Sequence, residues 1–447
     1  MRFGLGLLAW AAAQITLAGA SAPSGGSKTL VVLDESVDVS LWHGLFKSLR
    51  DRGHEVDVRD VHDETVNLIE FGNRQYDNLM ILPTEKVRGL GPKLAAKTLL
   101  EFMTIGGNVV GVTSPAAVPE SLRELASELD IHIAPKGYKL VDHFLGSGPH
   151  HDGLSSDSGY EAVGPRAIVG EVSPSVDLSN SGSAYLGNNE LVVPLIRAKD
   201  SSYVYDARDQ DEPYAKQVWT SGNQAHMAAA VQARNNARFL WVGSQNLLVD
   251  DKDLGQELTK WVFGEKSVVQ VVFVEHRSES ADEPPYRVYE EVEYSIGLQE
   301  WDGSQWKPFI ADDIQLEFTM LDPYYRLNLD LEQEKDNYSV YGTSFEAPEK
   351  HGVFTFRTQY HRPGISFIDA EEQVTMRHIA NDEWPRSYTI TNDWVYLSGA
   401  CAVIVGWLLF TVLYLYTKDE EDEQAQEKLA KKAKKVTKET KASKEKK

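Results

Sequence analysis

Val395 to Tyr416 runs 22 residues without a charged side chain, VYLSGACAVIVGWLLFTVLYLY. As an α-helix this run is about 33 Å long, which matches the hydrocarbon core of a bilayer. Trp394 and Tyr396 stand at one end and Tyr414 and Tyr416 at the other, where amphipathic rings favour the water–lipid boundary. A buried core helix is the competing reading, but soluble core helices seldom run so far without a charge. Residues 395–416 are therefore expected to cross a membrane and to contact lipid.

The other end sets the orientation. Arg2 is followed by an apolar stretch from Phe3 through Trp10 and then by Ala18-Gly19-Ala20. Small residues at Ala18 and Ala20 suit a signal peptidase, so residues 1–20 are expected to be a cleaved leader. A leader with one late span predicts a type I protein, its large part lumenal and residues 417–447 cytosolic. This tail carries eleven Lys against eight Asp and Glu, a charge of +3. It is expected to be disordered or a frayed helix. Its end, Lys444-Glu445-Lys446-Lys447, resembles a dilysine retrieval signal only loosely, because Glu445 takes the place of one lysine.

Charge and cysteine narrow the function classes. The whole chain is at −22; without the +3 tail and Arg2 it is at −26. Such a surface argues against nucleic acid or anionic lipid as the main partner. The one cysteine, Cys401, lies inside the expected span. The lumenal part thus has no disulfide, no cysteine nucleophile and no thiolate metal site, and residence within the secretory pathway as part of an assembly is favoured. Asn337-Tyr338-Ser339 is a glycosylation sequon, which makes Asn337 a possible glycan site.

Residues 21–265 read as a lumenal α/β domain. Lys28–Asp34, Val56–Val58, Leu79–Pro83 and Asn108–Thr113 are expected strands; Leu41–Arg50, Pro92–Thr104 and Ser121–Glu128 are expected helices. This rhythm predicts a parallel sheet with helices on both faces. Residues 146–189 form a Gly/Ser/Pro/Asp-rich excursion. Glu190–Ile196 and Arg238–Gly243 are further expected strands, Ala225–Asn235 and Asp253–Val262 further expected helices. From 266 to 390 the pattern changes to short alternating strands, such as Glu290–Tyr294 and Gly352–Arg357. One or two β-sandwich modules are expected there.

Candidate chemistry is sparse. Asp34, Asp142, His143 and Asp206 fall near expected strand ends, where open α/β sheets bind ligands. An Asp and a His can act as base and orienter, yet no glycine-rich phosphate loop and no nucleophile elbow accompanies them. His150-His151-Asp152 lacks a spaced second cluster. No catalytic or metal residue is therefore assigned: the scaffold reads as that of an enzyme with an emptied site. Trp301, Trp306, Tyr324, Tyr325 and Trp384 are candidate interface anchors or plain core and corner residues. In the span Ser398, Ala402 and Gly406 recur every four residues, with Gly399 beside them. That narrow face would admit another membrane helix.

Several stretches, in this order, carry a family likeness: Arg52-Gly53-His54, Tyr76-Asp77-Asn78-Leu79, Gly106-Gly107-Asn108-Val109, Arg123–Glu128, Val141-Asp142-His143-Phe144, Met320–Tyr324, His351–Phe356 and Arg362–Phe367. The chain resembles the 48-kilodalton, non-catalytic subunit of the eukaryotic oligosaccharyltransferase complex, in its fungal form. The resemblance implies a type I protein of the endoplasmic reticulum membrane without an active site of its own. The complex it implies transfers a preassembled oligosaccharide from dolichyl diphosphate to Asn in Asn-x-Ser/Thr sequons. The implied partners are a ribophorin-II-like subunit, a small multi-span subunit and the catalytic multi-span subunit; no cofactor is implied for this chain. Two readings of the residues stay open beside it: a membrane-tethered lumenal hydrolase, and a carbohydrate-binding module that stacks sugars on Trp301, Trp306 or Trp384.

Overall fold

The computed structural model describes residues 27–34, 37–63, 66–84, 90–142, 160–171, 180–206, 218–249, 252–384, 393–417 and 420–444. The chain divides into two compact units, one ending at His378 and one running from Ile379 to Lys447.

The first unit opens with β1 (Lys28–Leu33), α1 (His43–Asp51) and β2 (Glu55–Asp60), then a small hairpin of β3 (Ile69–Glu70) and β4 (Asn73–Arg74), and β5 (Asn78–Ile81). A 3₁₀ turn (Pro92–Leu94) precedes α2 (Ala96–Thr104), so the helix expected over Pro92–Thr104 is broken, at the extended Ala95. There follow β6 (Asn108–Val112), α3 (Glu120–Glu128), β7 (Ile131–Ile133), β8 (Tyr138–Val141), β9 (Tyr160–Ala162) and α4 (Arg166–Val169). The series ends with β10 (Ala184–Leu186), β11 (Val192–Ala198), β12 (Tyr203–Asp206), β13 (His226–Gln232), β14 (Arg238–Val242), α5 (Asn246–Val249) and α6 (Lys252–Val262).

Ten of these strands form one sheet with the order β2-β1-β5-β6-β14-β13-β10-β7; β11 pairs with β13 and carries β9. The strands from β2 to β14 are parallel. Beyond β14 the pairing is antiparallel, so the expected parallel sheet is a mixed one. The turning point is β13, where the sequence predicts a helix over Ala225–Asn235. Alanine favours helices, but here Ala228 and Ala230 enter one core and Ala229 the other. That period of two is a strand's, and burial on both faces overrides local propensity. β1, β5 and β6 alternate in the same way: Val31, Met80 and Val110 face one core, Leu30, Leu79 and Val109 the other. α1, α5 and α6 supply buried side chains to the first core; α2 and α3 supply them to the second.

The rest of this unit is all β. Its strands are β15 (Val268–Ser278), β16 (Tyr286–Arg287), β17 (Glu291–Trp301), β18 (Trp306–Pro308), β19 (Gln315–Thr319), β20 (Pro323–Asn328), β21 (Asp330–Glu334), β22 (Ser339–Glu346), β23 (Gly352–Tyr360) and β24 (Ile368–Arg377). They form two five-stranded sheets, β15-β17-β22-β21 with β18 on β17, and β16-β24-β23-β19-β20. Alternate residues from both sheets enter one shared core. Tyr294, Ile296, Leu298 and Tyr341 come from one sheet, Phe318, Phe354, Phe356 and Val374 from the other. Phe318 and Phe354 stack with centroids 4.6 Å apart. Each fully buried Phe is worth roughly 1.5–3 kcal/mol relative to exposure.

In the second unit, α7 (Asp393–Tyr416) is long and apolar enough to cross a membrane, with a mean hydropathy of 2.1 over its most apolar stretch. Asp393 in its first turn suits the positive helix end. In the tail, Glu420–Lys444 is one helix, α8. Acidic residues open it and lysines fill its second half, matching the helix dipole, and Glu427 pairs with Lys431 at 3.1 Å.

Candidate functional site: a strand-end crevice and a buried junction

β2 lies on one side of β1 and β5 on the other, so the chain changes direction at β1. Crevices at such a switch, outside the carboxyl ends of the strands, are where open α/β sheets bind ligands. A crevice of about 360 Å³ is present there. Asp38 and Leu41 follow β1, Pro83 follows β5, Ser114 follows β6, and Ser244 and Gln245 follow β14. Among the described residues Asp38 is the ionisable one of this wall. Hydrogen bonds from the Ser40 hydroxyl and amide hold its carboxyl below the usual range, which favours an ionised turn cap over a proton carrier. The rest of the polar lining is hydroxyl and amide. Among the described residues no group of three or more His, Cys, Asp or Glu is placed to hold a metal ion.

The residues singled out from the sequence do not converge on this crevice. Asp34 is buried at the end of β1, where its backbone carbonyl accepts from the Val37 amide at 2.9 Å. Asp142 is fully buried after β8 and accepts hydrogen bonds from the hydroxyls of Ser201 and Ser202. Asp206 sits at the far end of the β8–β12 ladder, opposite Tyr138, roughly 10 Å from the Asp142 end at 3.3 Å per residue. His143, His150, His151 and Asp152 lie outside the described residues.

A hydrogen-bonded Ser–His–Glu array exists elsewhere, and the sequence gives no hint of it. Ser27 Oγ lies 2.6 Å from His54 Nδ1, and His54 Nε2 lies 2.7 Å from Glu265 Oε1. This resembles a nucleophile–base–orienter line, but its other contacts make it a clasp. Arg52 Nη1 also donates to Glu265 Oε1, at 2.9 Å, Thr29 Oγ1 lies 3.2 Å from Nδ1, and His54 is buried. The array sits at the amino edge of β1 and β2, across the sheet from the crevice, and ties that edge to the chain after α6. Burial pulls the Arg52 guanidinium down while Glu265 pushes it back up.

Arg238, 2 % exposed, holds the two halves of the first unit together. One guanidinium nitrogen donates to the carbonyls of Trp261 and Lys266, the latter at 3.0 Å. The other donates to the Ser267 carbonyl at 2.9 Å and the Ser366 hydroxyl at 3.1 Å. The group also lies 4.8 Å from the centre of the Trp261 ring. Burial pushes it down to about 9, which leaves it protonated at neutral pH. The segment Arg362–Phe367 closes over this seat. Trp261 Nε1 donates to Gly364 O at 2.8 Å, Gln232 Nε2 donates to Ile365 O at 2.7 Å, and the Phe367 amide donates to Asn236 Oδ1 at 2.7 Å. Gly364 has φ +90, and a Cβ there would lie 3.0 Å from Ile168, so both backbone and space call for glycine.

The five aromatic candidates fall in three places. Trp301 and Trp306 face each other across β17 and β18, ring centres 5.2 Å apart. Tyr324 and Tyr325 are on β20 of the other sheet; Tyr324 is 40 % exposed and packs edge-on against Phe354, Tyr325 against Phe345. Trp384, 52 % exposed, belongs to the second unit. Trp301 and Trp306 thus lie on one sheet of the β region, and Tyr324 and Tyr325 on the other. Asn337 is exposed in the turn before β22. Along α7 nothing lies within 4 Å of a Cβ built on Gly399 or Gly406. The Ser398 hydroxyl bonds the Val395 carbonyl at 2.9 Å, and Ala402 is exposed.

Comparison with known proteins gives a colinear match. Residues 20–265 match the family model "OST48, N-terminal domain", and residues 274–418 match "OST48 middle domain". The dolichyl-diphosphooligosaccharide–protein glycosyltransferase subunit WBP1 of Saccharomyces cerevisiae is 35 % identical over 88 % of this chain and 92 % of its own length. The corresponding wbp1 subunit of Schizosaccharomyces pombe is 31 % identical over 92 % of this chain and 94 % of its own. The 48 kDa subunit of Danio rerio is 29 % identical over 89 % of this chain and 93 % of its own. With both parts matched in order and its relatives spanned almost end to end, this chain belongs to the OST48 family.

Proposed function

We propose that this protein is an accessory, non-catalytic subunit of the oligosaccharyltransferase complex of the endoplasmic reticulum membrane. That complex moves oligosaccharide from dolichyl diphosphate to Asn in Asn-x-Ser/Thr sequons of nascent proteins. The observation that carries the proposal is the end-to-end match to relatives named as subunits of this glycosyltransferase. A free-standing hydrolase finds no support in a strand-end crevice whose one ionisable residue among those described is a capped Asp38.

The domain plan that fits this role has a leader at 1–20, a lumenal α/β domain at 21–265 and a lumenal β region at 266–390. A membrane helix at 395–416 and a cytosolic tail at 417–447 complete it. The two five-stranded sheets with their shared core support reading the second region as one β-sandwich. Ser398, Gly399, Ala402 and Gly406 form the surface on α7 for a neighbouring membrane helix. Tyr324, Tyr325, Trp301, Trp306 and Trp384 are lumenal contacts for neighbouring subunits. Leu321, fully exposed at a positive φ beside Tyr324, favours the β19–β20 tip among them. The partners in this proposal are the ribophorin-II-like, small multi-span and catalytic multi-span subunits. Asn337, exposed on its turn, is the proposed glycan carrier.

Purification in mild detergent tests the reading. The chain should emerge with stoichiometric partners, and its depletion should lower sequon occupancy and complex level together. A lone, active monomer would overturn it. Leu in place of Ala402 and Gly406 together should release membrane partners while the lumenal part stays folded.

A further inference from the structure

A second groove, of about 270 Å³, runs between α3 and the sheet's edge strand β7. One wall is the exposed stripe of α3, with Glu120, Arg123, Glu124 and Ser127 at successive helical spacings of three, one and three. The other wall is aromatic. His132 and Tyr185 are directly paired across β7 and β10, their rings nearly parallel with centres 4.5 Å apart. Tyr185 is 38 % exposed, and Trp219 packs against it at 5.9 Å. The Trp219 indole N–H is buried with no acceptor among the described residues.

The charges set the class of ligand. Arg123 donates to Glu120 at 2.9 Å, and His132 Nε2 lies 3.2 Å from Asp130. Acceptors, donors and a hydroxyl therefore alternate along the groove. A peptide cation would need an uncompensated acidic wall. A neutral polyol with one apolar face needs what is here: a half-exposed aromatic platform for C–H groups and mixed polar groups for vicinal hydroxyls. The volume is a little below the 300–1,000 Å³ or so of drug-sized sites and has room for a single sugar ring. We propose that this groove binds one pyranose ring of an oligosaccharide. The proposal rests on the accessory-subunit reading and assigns to this chain a direct contact with the glycan, apart from the strand-end crevice and from the chemistry.

The test uses the purified complex and two lipid-linked donors, one with the full glycan and one trimmed to its first two sugars. Tyr185→Ala removes the platform at a partly exposed edge position, and Glu124→Gln alters an exposed polar contact without changing shape. Both complexes should form with normal subunit content, which separates this test from that of the accessory role. Tyr185→Ala should raise KM for the full donor about three- to tenfold, the loss of one stacking contact, with kcat unchanged and the trimmed donor unaffected; Glu124→Gln should do the same more weakly. A variant that instead weakens inhibition by free glycopeptide and leaves donor KM alone would support the same sugar site filled by product glycan. Unchanged KM for both donors with unchanged glycopeptide inhibition, an equal rise for both donors, or a rise confined to Lys-containing acceptor peptides would overturn the proposal.

Discussion

The two ends of the large sheet are built for different purposes. At the carboxyl ends of β1, β5, β6 and β14, where open α/β sheets bind ligands, the polar wall among the described residues is hydroxyl, amide and one capped carboxylate. At the opposite edge and at the end of α6, Ser27, Arg52, His54, Glu265 and Arg238 form dense hydrogen-bonded networks. Buried polar groups are tolerated only when satisfied, and this chain satisfies them where its halves join. Among the described residues, the buried polar networks of the α/β part lie where it meets the β region, as suits an assembly subunit.

The sharpest way to break that contrast is Arg238→Ala. It removes the charged donor shared by the carbonyls of Trp261, Lys266 and Ser267 and the Ser366 hydroxyl, leaving the Trp261 and Ser267 carbonyls to the amides of Gly264 and Ser366, and opens a void against Trp261. A loss of about 3–5 kcal/mol is expected, from four lost charge-assisted hydrogen bonds and lost packing. Thermal denaturation of the complex and the chain's steady-state level would report it. A change under about 1 kcal/mol would show that the junction is not held through Arg238.

Next in size is Glu265→Gln. It keeps the shape of the clasp but removes the charge that Arg52 and His54 share. Both partners are mostly buried, so about 1.5–3 kcal/mol is expected. Pairing it with His54→Gln in a double-mutant cycle should show coupling; strict additivity would mean that the short distances carry no energy.

How far the sequence foretells these features follows from their range. Short apolar runs such as Leu30–Leu33 and Asn108–Val112 announce the parallel strands, and the uncharged run announces α7. The Ala228–Ala230 strand is hidden because alanine's local preference points to a helix, and only the two flanking cores decide otherwise. The family-bearing stretches are legible as words, but not their sense. Arg52-Gly53-His54 meets Glu265 more than 200 residues later, and Arg362–Phe367 closes over Arg238 from more than 100 residues away. No local periodicity encodes such pairings. The sugar groove is hidden likewise: His132 and Tyr185 become neighbours only through the β7–β10 register.

A smaller effect concerns pH. Burial holds the His226 imidazole below its usual range, and the nearby Arg197 charge adds to this. Between its folded value and the unfolded value near 6.5 the unfolded chain binds more protons, so stability rises with pH there and falls as pH drops below about 6.5. Acidification from neutrality should lower the thermal midpoint, and His226→Gln should flatten the slope in that window. An unchanged slope would place the acid sensitivity in carboxylates, which titrate lower.

The smallest effect should come from the place where an enzyme would be most fragile. Asp38→Asn keeps an oxygen to cap the Ser40 amide, now 2.9 Å from the carboxylate, and removes the charge from the crevice wall. An exposed turn side chain changed in this way should alter stability by no more than about 0.5 kcal/mol. Because no base or nucleophile among the described residues of the crevice depends on that charge, sequon occupancy and donor KM should stay at the unchanged level, even in a double substitution with Ser114→Ala. Were occupancy to fall severalfold with the complex intact, the crevice would be a working site. The contrast between the two ends of the sheet would then be one of polarity alone, since a site built from hydroxyls and amides would be acting on a neutral ligand without proton transfer.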